Sequence, residues 1–246
     1  MNLKLLQILP TIITALYYSE LRAEPVLEQG AASIQSSQQS KPVSLSRYVP
    51  LDAAGMPIVA SHLPSLEEWP CVLDRNTGLT WESKSQLPGL HYHHNTYHWF
   101  QPEPGHNGGQ PGQHGGNRCR TNSSVARQLT SVDADTVCDT HRFVNAVNQE
   151  ALCGQRDWRL PHREELRSLV DYNIRYPGPT IDLQAFPNTV AQFYWSADTA
   201  AAAPLEAWGI GFSFGFDYAY FKSNQVHLRL VRGVFSYKSP REPSSQ

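Results

Sequence analysis

Four cysteines lie behind an export leader, and that combination constrains this chain more than any other feature. Met1 to Ala23 has the order of a secretory signal peptide. Lys4 supplies the positive n-region, Leu5 to Tyr18 the apolar stretch, and Leu21-Arg22-Ala23 a cleavage point before Glu24. Pro10 inside the apolar stretch disfavours a persistent membrane helix. An exported chain meets an oxidising compartment, where Cys71, Cys119, Cys138 and Cys153 are expected to pair. The residues alone leave three pairings open. No CxxC spacing occurs, so neither thioredoxin-like redox chemistry nor a zinc ribbon is indicated. The expectation is an exported protein of the periplasm or cell surface, with no transmembrane segment after cleavage.

A chain of 246 residues allows one large domain or two small ones. With 20 Lys and Arg against 22 Asp and Glu, the formal charge of −2 offers no field to draw in nucleic acid. Charged residues make up 17%, below the usual ~25%, while aromatics reach 11% alongside 16 Gly and 18 Pro. That is a loop-rich, aromatic-cored composition and not a helical bundle. Residues 24–46 are rich in Ser, Gln and Ala and read as a flexible lead-in. Residues 47–70 carry four prolines and read as an irregular N-terminal wrap. The domain itself spans 71–236, and 237–246 form a loose tail.

Within the domain the pattern is mixed. Cys71 to Asp74 and Leu79 to Glu82 read as two strands joined by a turn at Asn76 and Gly78. Residues 101–117 hold six glycines and three prolines and form a long surface loop. Asp139 suits the N-cap of a helix running to Glu150, with Phe143, Val144 and Val147 on one face and Gly154 near its left-handed end. Trp158 to Leu160 reads as a short strand entering a second helix, with Pro161 in its first turn and Leu166, Leu169 and Val170 as its core stripe, ending by Tyr172-Asn173. His162 and Glu165 have capping-box spacing. The rest is strand: Phe193 to Ser196, Ala207 to Phe212, a hairpin turn at Ser213-Phe214-Gly215, a return strand alternating Phe216, Tyr218 and Tyr220, then Gln225 to Arg232. Two helices followed by a run of antiparallel strands give an α+β fold, two helices packed on small antiparallel sheets with long loops.

Three groups of residues could carry chemistry. Six of the ten histidines fall between His91 and His114, and His94 and His98 have the spacing of a helical metal pair. The Gly, Asn and Pro around them make a helix unfavourable, so no metal and no cofactor is expected. Lys222, His227, Arg229 and Arg232 place basic groups near the last strand, either as an anion site or as a solvated face. The densest signal is aromatic: Trp208, Phe212, Phe214, Phe216, Tyr218, Tyr220 and Phe221. One face of such a hairpin must be core, and the other leaves aromatic rings in solvent, where they stack on sugars or anchor protein contacts. No nucleophile elbow, HExxH or phosphate loop appears.

Several strings together resemble the Lcl C-terminal domain family. They are Thr77-Gly78-Leu79-Thr80-Trp81-Glu82, Asn95-Thr96-Tyr97-His98-Trp99, Asp157-Trp158-Arg159-Leu160-Pro161, Phe186-Pro187-Asn188-Thr189, Tyr194-Trp195-Ser196, Ala207-Trp208 and Val231-Arg232-Gly233, within residues 71–233. The resemblance implies a C-type-lectin-like fold related to formylglycine-generating enzymes, and attachment to glycosaminoglycan-type ligands. It also implies two disulfides, Cys71–Cys153 and Cys119–Cys138. No Cys follows Cys153, which disfavours formylglycine-generating oxidase chemistry. Gln101-Pro102-Glu103 echoes a calcium-lectin loop, but no Trp-Asn-Asp follows it.

The expectation is therefore an exported, non-enzymatic recognition or adhesion domain. Its buried scaffold would be Trp81, Trp158, Trp195, Trp208, Leu160, Leu166 and Leu169. It would bind a polysaccharide, a glycosaminoglycan or a cell-envelope protein through Phe214, Phe216, Tyr218, Tyr220 and Lys222, helped by the long insert. The alternatives are a metal-dependent enzyme built on the histidine insert and a structural envelope-assembly subunit.

Overall fold

The computed structural model describes residues 46–58, 68–115 and 138–236. The leader, the lead-in up to residue 45, the tail from 237 and Cys119 lie outside the described residues. Among the described residues no helix is long and apolar enough to cross a membrane.

Two antiparallel sheets and two helices form the α+β framework. The first sheet has the order β1-β2-β3-β7, with β1 at Tyr48–Leu51, β2 at Cys71–Asp74, β3 at Thr80–Glu82 and β7 at Val231–Arg232. The second has the order β4-β5-β6, at Phe193–Thr199, Glu206–Gly211 and Phe216–Phe221. The first of these elements corrects the expected irregular wrap. Residues 48–51 are a regular strand paired along their whole length with β2, despite Pro50. Proline is admissible there because β1 is the sheet edge.

The β2–β3 turn follows its residues. Gly78 sits at φ +74° and donates to the Asp74 carbonyl at 2.8 Å. Buried Asp74 receives the Asn76 N–H at 3.0 Å and the Arg47 guanidinium at 3.0 and 2.8 Å. Helix α1 runs Thr140–Glu150, and its N-cap Asp139 accepts from the Arg142 N–H at 2.8 Å. The helix ends at Glu150 as expected, but its left-handed cap comes three residues before Gly154. Ala151, at φ +59°, takes the left-handed cap position, and Cys153 also has positive φ. Tertiary ties fix this stretch: Cys153 is bonded to Cys71, and the Trp158 indole donates to the Leu152 carbonyl at 3.0 Å. Among the described residues no cysteine is free.

Helix α2 is a single short turn, Arg163–Arg167, and Pro161 precedes it instead of lying within it. Side chains take over the carbonyls that would extend it. The Ser168 hydroxyl donates to the Glu165 carbonyl at 2.6 Å, and Arg47 donates to the Ser168 carbonyl at 2.9 Å. The apolar stripe survives in the turns that follow, with Leu166 and Leu169 buried. The expected long C-terminal strand is also shorter. Only Val231–Arg232 joins a sheet, while Val226 bridges to Tyr97 and His227 to Tyr194. The segment hands its hydrogen bonds from the second sheet to the first, and Val226, Leu228 and Leu230 still point inward as expected.

Two apolar clusters result. One gathers Trp99, Phe143, Trp158, Trp195 and Leu228; the other gathers Trp81, Leu166, Phe186, Ile210 and Phe212. Trp208, expected in the scaffold, is only half-buried and lies under the Arg163 guanidinium at 4.7 Å. Between the clusters sits a buried ionic group. The Glu82 carboxylate accepts from Lys84 Nζ at 2.6 Å, from His91 Nδ1 at 2.7 Å and from the Leu230 N–H at 2.9 Å. His91 Nε2 reaches Glu150 at 3.2 Å. Burial drives the Glu82 carboxyl upward, but Lys84 and then His91 outweigh it and hold it down at about 2. Burial also opposes the His91 imidazolium, yet the bonds to Glu150 and Glu82 raise it to about 9.

Two predictions follow from this framework. Cys71–Cys153 spans 82 residues, so its loss is expected to lower stability by about 4 kcal/mol in chemical denaturation. The ionic group sets the pH profile. His91, raised in the folded state, stabilises fully below its unfolded value of 6.5 and loses that contribution as pH climbs through about 9. Glu82, depressed in the folded state, stabilises above 4.5 and loses its contribution as pH falls toward about 2. Denaturation midpoints measured across pH should fall on both sides, and His91→Gln should abolish most of the alkaline fall. An unchanged alkaline limb in that variant would refute the assignment.

Candidate functional site

The β5–β6 hairpin carries the aromatic surface. Gly215 makes its turn possible: it sits at φ +79°, donates to the Gly211 carbonyl at 2.7 Å, and a Cβ there would lie 2.7 Å from Val170. Among the described residues β6 is an edge strand, paired with β5 in register Gly211↔Phe216, Gly209↔Tyr218 and Ala207↔Tyr220. The strand period then puts Phe216, Tyr218 and Tyr220 on one face. All three are exposed, at 55%, 57% and 37%, as is Phe214 at 52%. Across from them β5 offers only Gly and Ala. A side chain at 209 would collide with the Phe193 ring, which lies over that glycine.

The rings form a row. Tyr176, from the loop after α2, stacks on Phe214 at 4.4 Å, and Phe214 stacks on Phe216 at 5.3 Å. Tyr218 meets Tyr220 edge-on at 5.1 Å, and Tyr220 leans on Phe193 at 4.5 Å. A six-residue strand makes such a row roughly 17–20 Å long. The opposite face of β6 is different. There Asp217 pairs with Arg163 at 3.3 Å, beside Trp208. Tyr176 was not apparent from sequence because it comes from a distant loop; its place beside the turn is tertiary.

Lys222 does not belong to this surface. It is 2% exposed, lies 4.1 Å above the Trp99 ring, and donates to the carbonyls of Asn107 at 2.9 Å and Gln110 at 2.6 Å. It fastens the glycine-rich insert to the end of β6. The basic group near the last strand is likewise structural. Arg229 is fully buried, donating to the Glu82 carbonyl and, at 2.8 Å, to the Thr189 hydroxyl; Arg232 pairs with Asp157 at 2.6 Å.

The histidines are dispersed. His91 belongs to the ionic group, and His93 Nδ1 faces the Ser85 carbonyl at 2.9 Å. His98, the expected helical partner of His94, lies in no helix. Its Nδ1 faces the Ser223 carbonyl at 2.7 Å and its Nε2 the Gln225 amide at 3.3 Å. His94 instead packs against Tyr92 and His93. Among the described residues no three His, Cys, Asp or Glu side chains converge as a metal site.

A cavity of about 620 Å³ opens between the insert, α1 and the end of β4. Trp99, Phe100, Val144 and Leu160 supply apolar wall, and Gln101, His141, His162 and Asp198 supply polar groups. The Asp198 carboxylate holds His162 Nδ1 at 2.8 Å and accepts the Arg163 N–H. The reciprocal arm of the helix start is Glu165, which accepts the His162 N–H at 2.8 Å. Asp198 had no sequence signal; it lies 36 residues from its histidine.

No curated protein matches the chain, and no solved structure does. A family model does match: that of the Lcl C-terminal domain, over residues 70–232. This range takes in β2 through β7, both helices and the cavity, leaving out only β1 of the two sheets, so the chain belongs to the Lcl C-terminal domain family.

Proposed function

We propose that the protein is an exported, non-enzymatic recognition module that lays a polysaccharide chain along the aromatic row of β6. The observation that carries this reading is the row itself. Phe214, Phe216, Tyr218 and Tyr220 of one hairpin stand in solvent along the row, with Tyr176 added from another loop, over a strand partner stripped to Gly and Ala. Soluble proteins rarely leave a contiguous apolar patch uncovered without a partner for it. Flat rings on alternate strand residues, about 6.6 Å apart, suit the apolar faces of sugars along a chain. The described part of the insert supports the same reading over a metal-dependent enzyme, since His91, His93 and His98 are engaged with protein groups there. An α+β scaffold with its last hairpin as the binding element fits this role.

A surface protein is the second reading, and one observation favours it. Among the described residues no strand pairs with the outer edge of β6, so an extended peptide could add a strand beside the same rings.

Binding to immobilised polysaccharides separates these readings. Phe214→Ala, Tyr218→Ala and Tyr220→Ala should each weaken polysaccharide binding roughly 2- to 10-fold with little change in Tm, because each ring is exposed. Lys222→Met should lower Tm and leave the rings themselves intact. Unchanged binding in all three aromatic variants would remove the row from the function. Loss of binding to an envelope protein, with none to glycans in the wild type, would favour strand addition.

A further inference from the structure

We infer that the cavity between the insert and the end of β4 is a second subsite, for a neutral saccharide. Its volume, about 620 Å³, lies within the range of small-molecule sites. Its walls are fixed without a ligand. Gln101 N–H donates to the Pro111 carbonyl at 2.9 Å, the Asn107 amide to the Gln101 carbonyl at 2.9 Å, and Lys222 pins Asn107 and Gln110.

The chemistry of the walls selects the ligand class. Arg159 is the guanidinium of the wall, and Glu165 neutralises it through two bonds of 2.7 Å. Asp198 is the wall's carboxylate. A sulfate or uronate would therefore meet a negative group and a cation already paired, and among the described lining residues there is no further Arg or Lys to receive it. What remains suits hydroxyl groups. Asp198 engages Nδ1 of His162, a lining residue, so Nε2 is the ring nitrogen left for a ligand hydroxyl. Gln101 Oε1 accepts the Glu103 N–H at 3.3 Å, leaving its amide N–H groups as donors. Phe100 offers a ring for an apolar sugar face, and His141 stands edge-on to it at 6.2 Å. The cavity shares a ligand class with the aromatic row but none of its residues, so the two can fail separately.

Calorimetric titration of the full chain decides the matter. The probes are neutral di- and trisaccharides of glucose, galactose, mannose and N-acetylglucosamine, with heparin as the anionic competitor. Ala201→Trp places a bulky ring at the exposed rim of the cavity, and Gln101→Ala removes the amide donors. At least one neutral saccharide should bind, heparin should not displace it, Ala201→Trp should weaken it at least tenfold, and Gln101→Ala several-fold. Tyr218→Ala should leave this binding unchanged while weakening polysaccharide binding. The inference is overturned if no neutral saccharide binds, if heparin displaces it, or if both cavity variants bind as the wild type does. In that case losses confined to the aromatic variants would leave the row assignment standing.

Discussion

The buried carboxylate of Glu82 organises the structure. A charge that has left water costs several kcal/mol unless it is paired and hydrogen-bonded, and Glu82 is fully buried at the end of β3. Its compensation comes from three directions: Lys84 two residues on, His91 from the loop that follows, and the Leu230 N–H from the C-terminal segment. Through His91 the same group reaches Glu150 at the end of α1. Strand, loop, helix end and C-terminal segment are thus held by one ion, and none of them can move away without stranding it. The start of the histidine-rich stretch, at His91, is therefore scaffold by electrostatic necessity.

Local features were legible in the sequence and shared ones were not. The β2–β3 turn, the Asp139 cap and the β5–β6 hairpin each depend on neighbours within a few residues, and each formed where its residues put it. β1 was missed because four prolines dominate its surroundings, while its pairing with β2 is set more than twenty residues away. The early end of α2 depends on Arg47, and the divided C-terminal strand depends on both sheets at once. For the family and the Cys71–Cys153 bond, the combination of motifs carried more than any single element.

The surface residues show the same division within one strand. Alternation correctly places Phe216, Tyr218 and Tyr220 on one exposed face. By the same parity Lys222 should follow them. It does not, because regular pairing ends at Phe221, opposite Glu206, and the chain then turns inward beneath the insert. A period-two argument holds only while the ladder lasts. A lysine one residue past the ladder is free to be buried, provided its three donors find acceptors, and here two carbonyls and an aromatic ring supply them.

That single burial joins the two candidate surfaces. β6 is an aromatic edge with few of the charges that normally protect an exposed strand; Asp217, tied to Arg163 on the other face, stands apart from the row. Such an edge must stay rigid to be useful as a platform, because rings on a fraying strand would lose their spacing. Lys222 fixes its far end to Asn107 and Gln110, which belong to the loop that walls the cavity. The far end of the platform and the wall of the cavity are thus held by one ammonium group, with the Trp99 ring beneath it. A glycine-rich insert would cost conformational entropy to order on its own; anchoring it to the strand that carries the rings orders both surfaces with the same contacts.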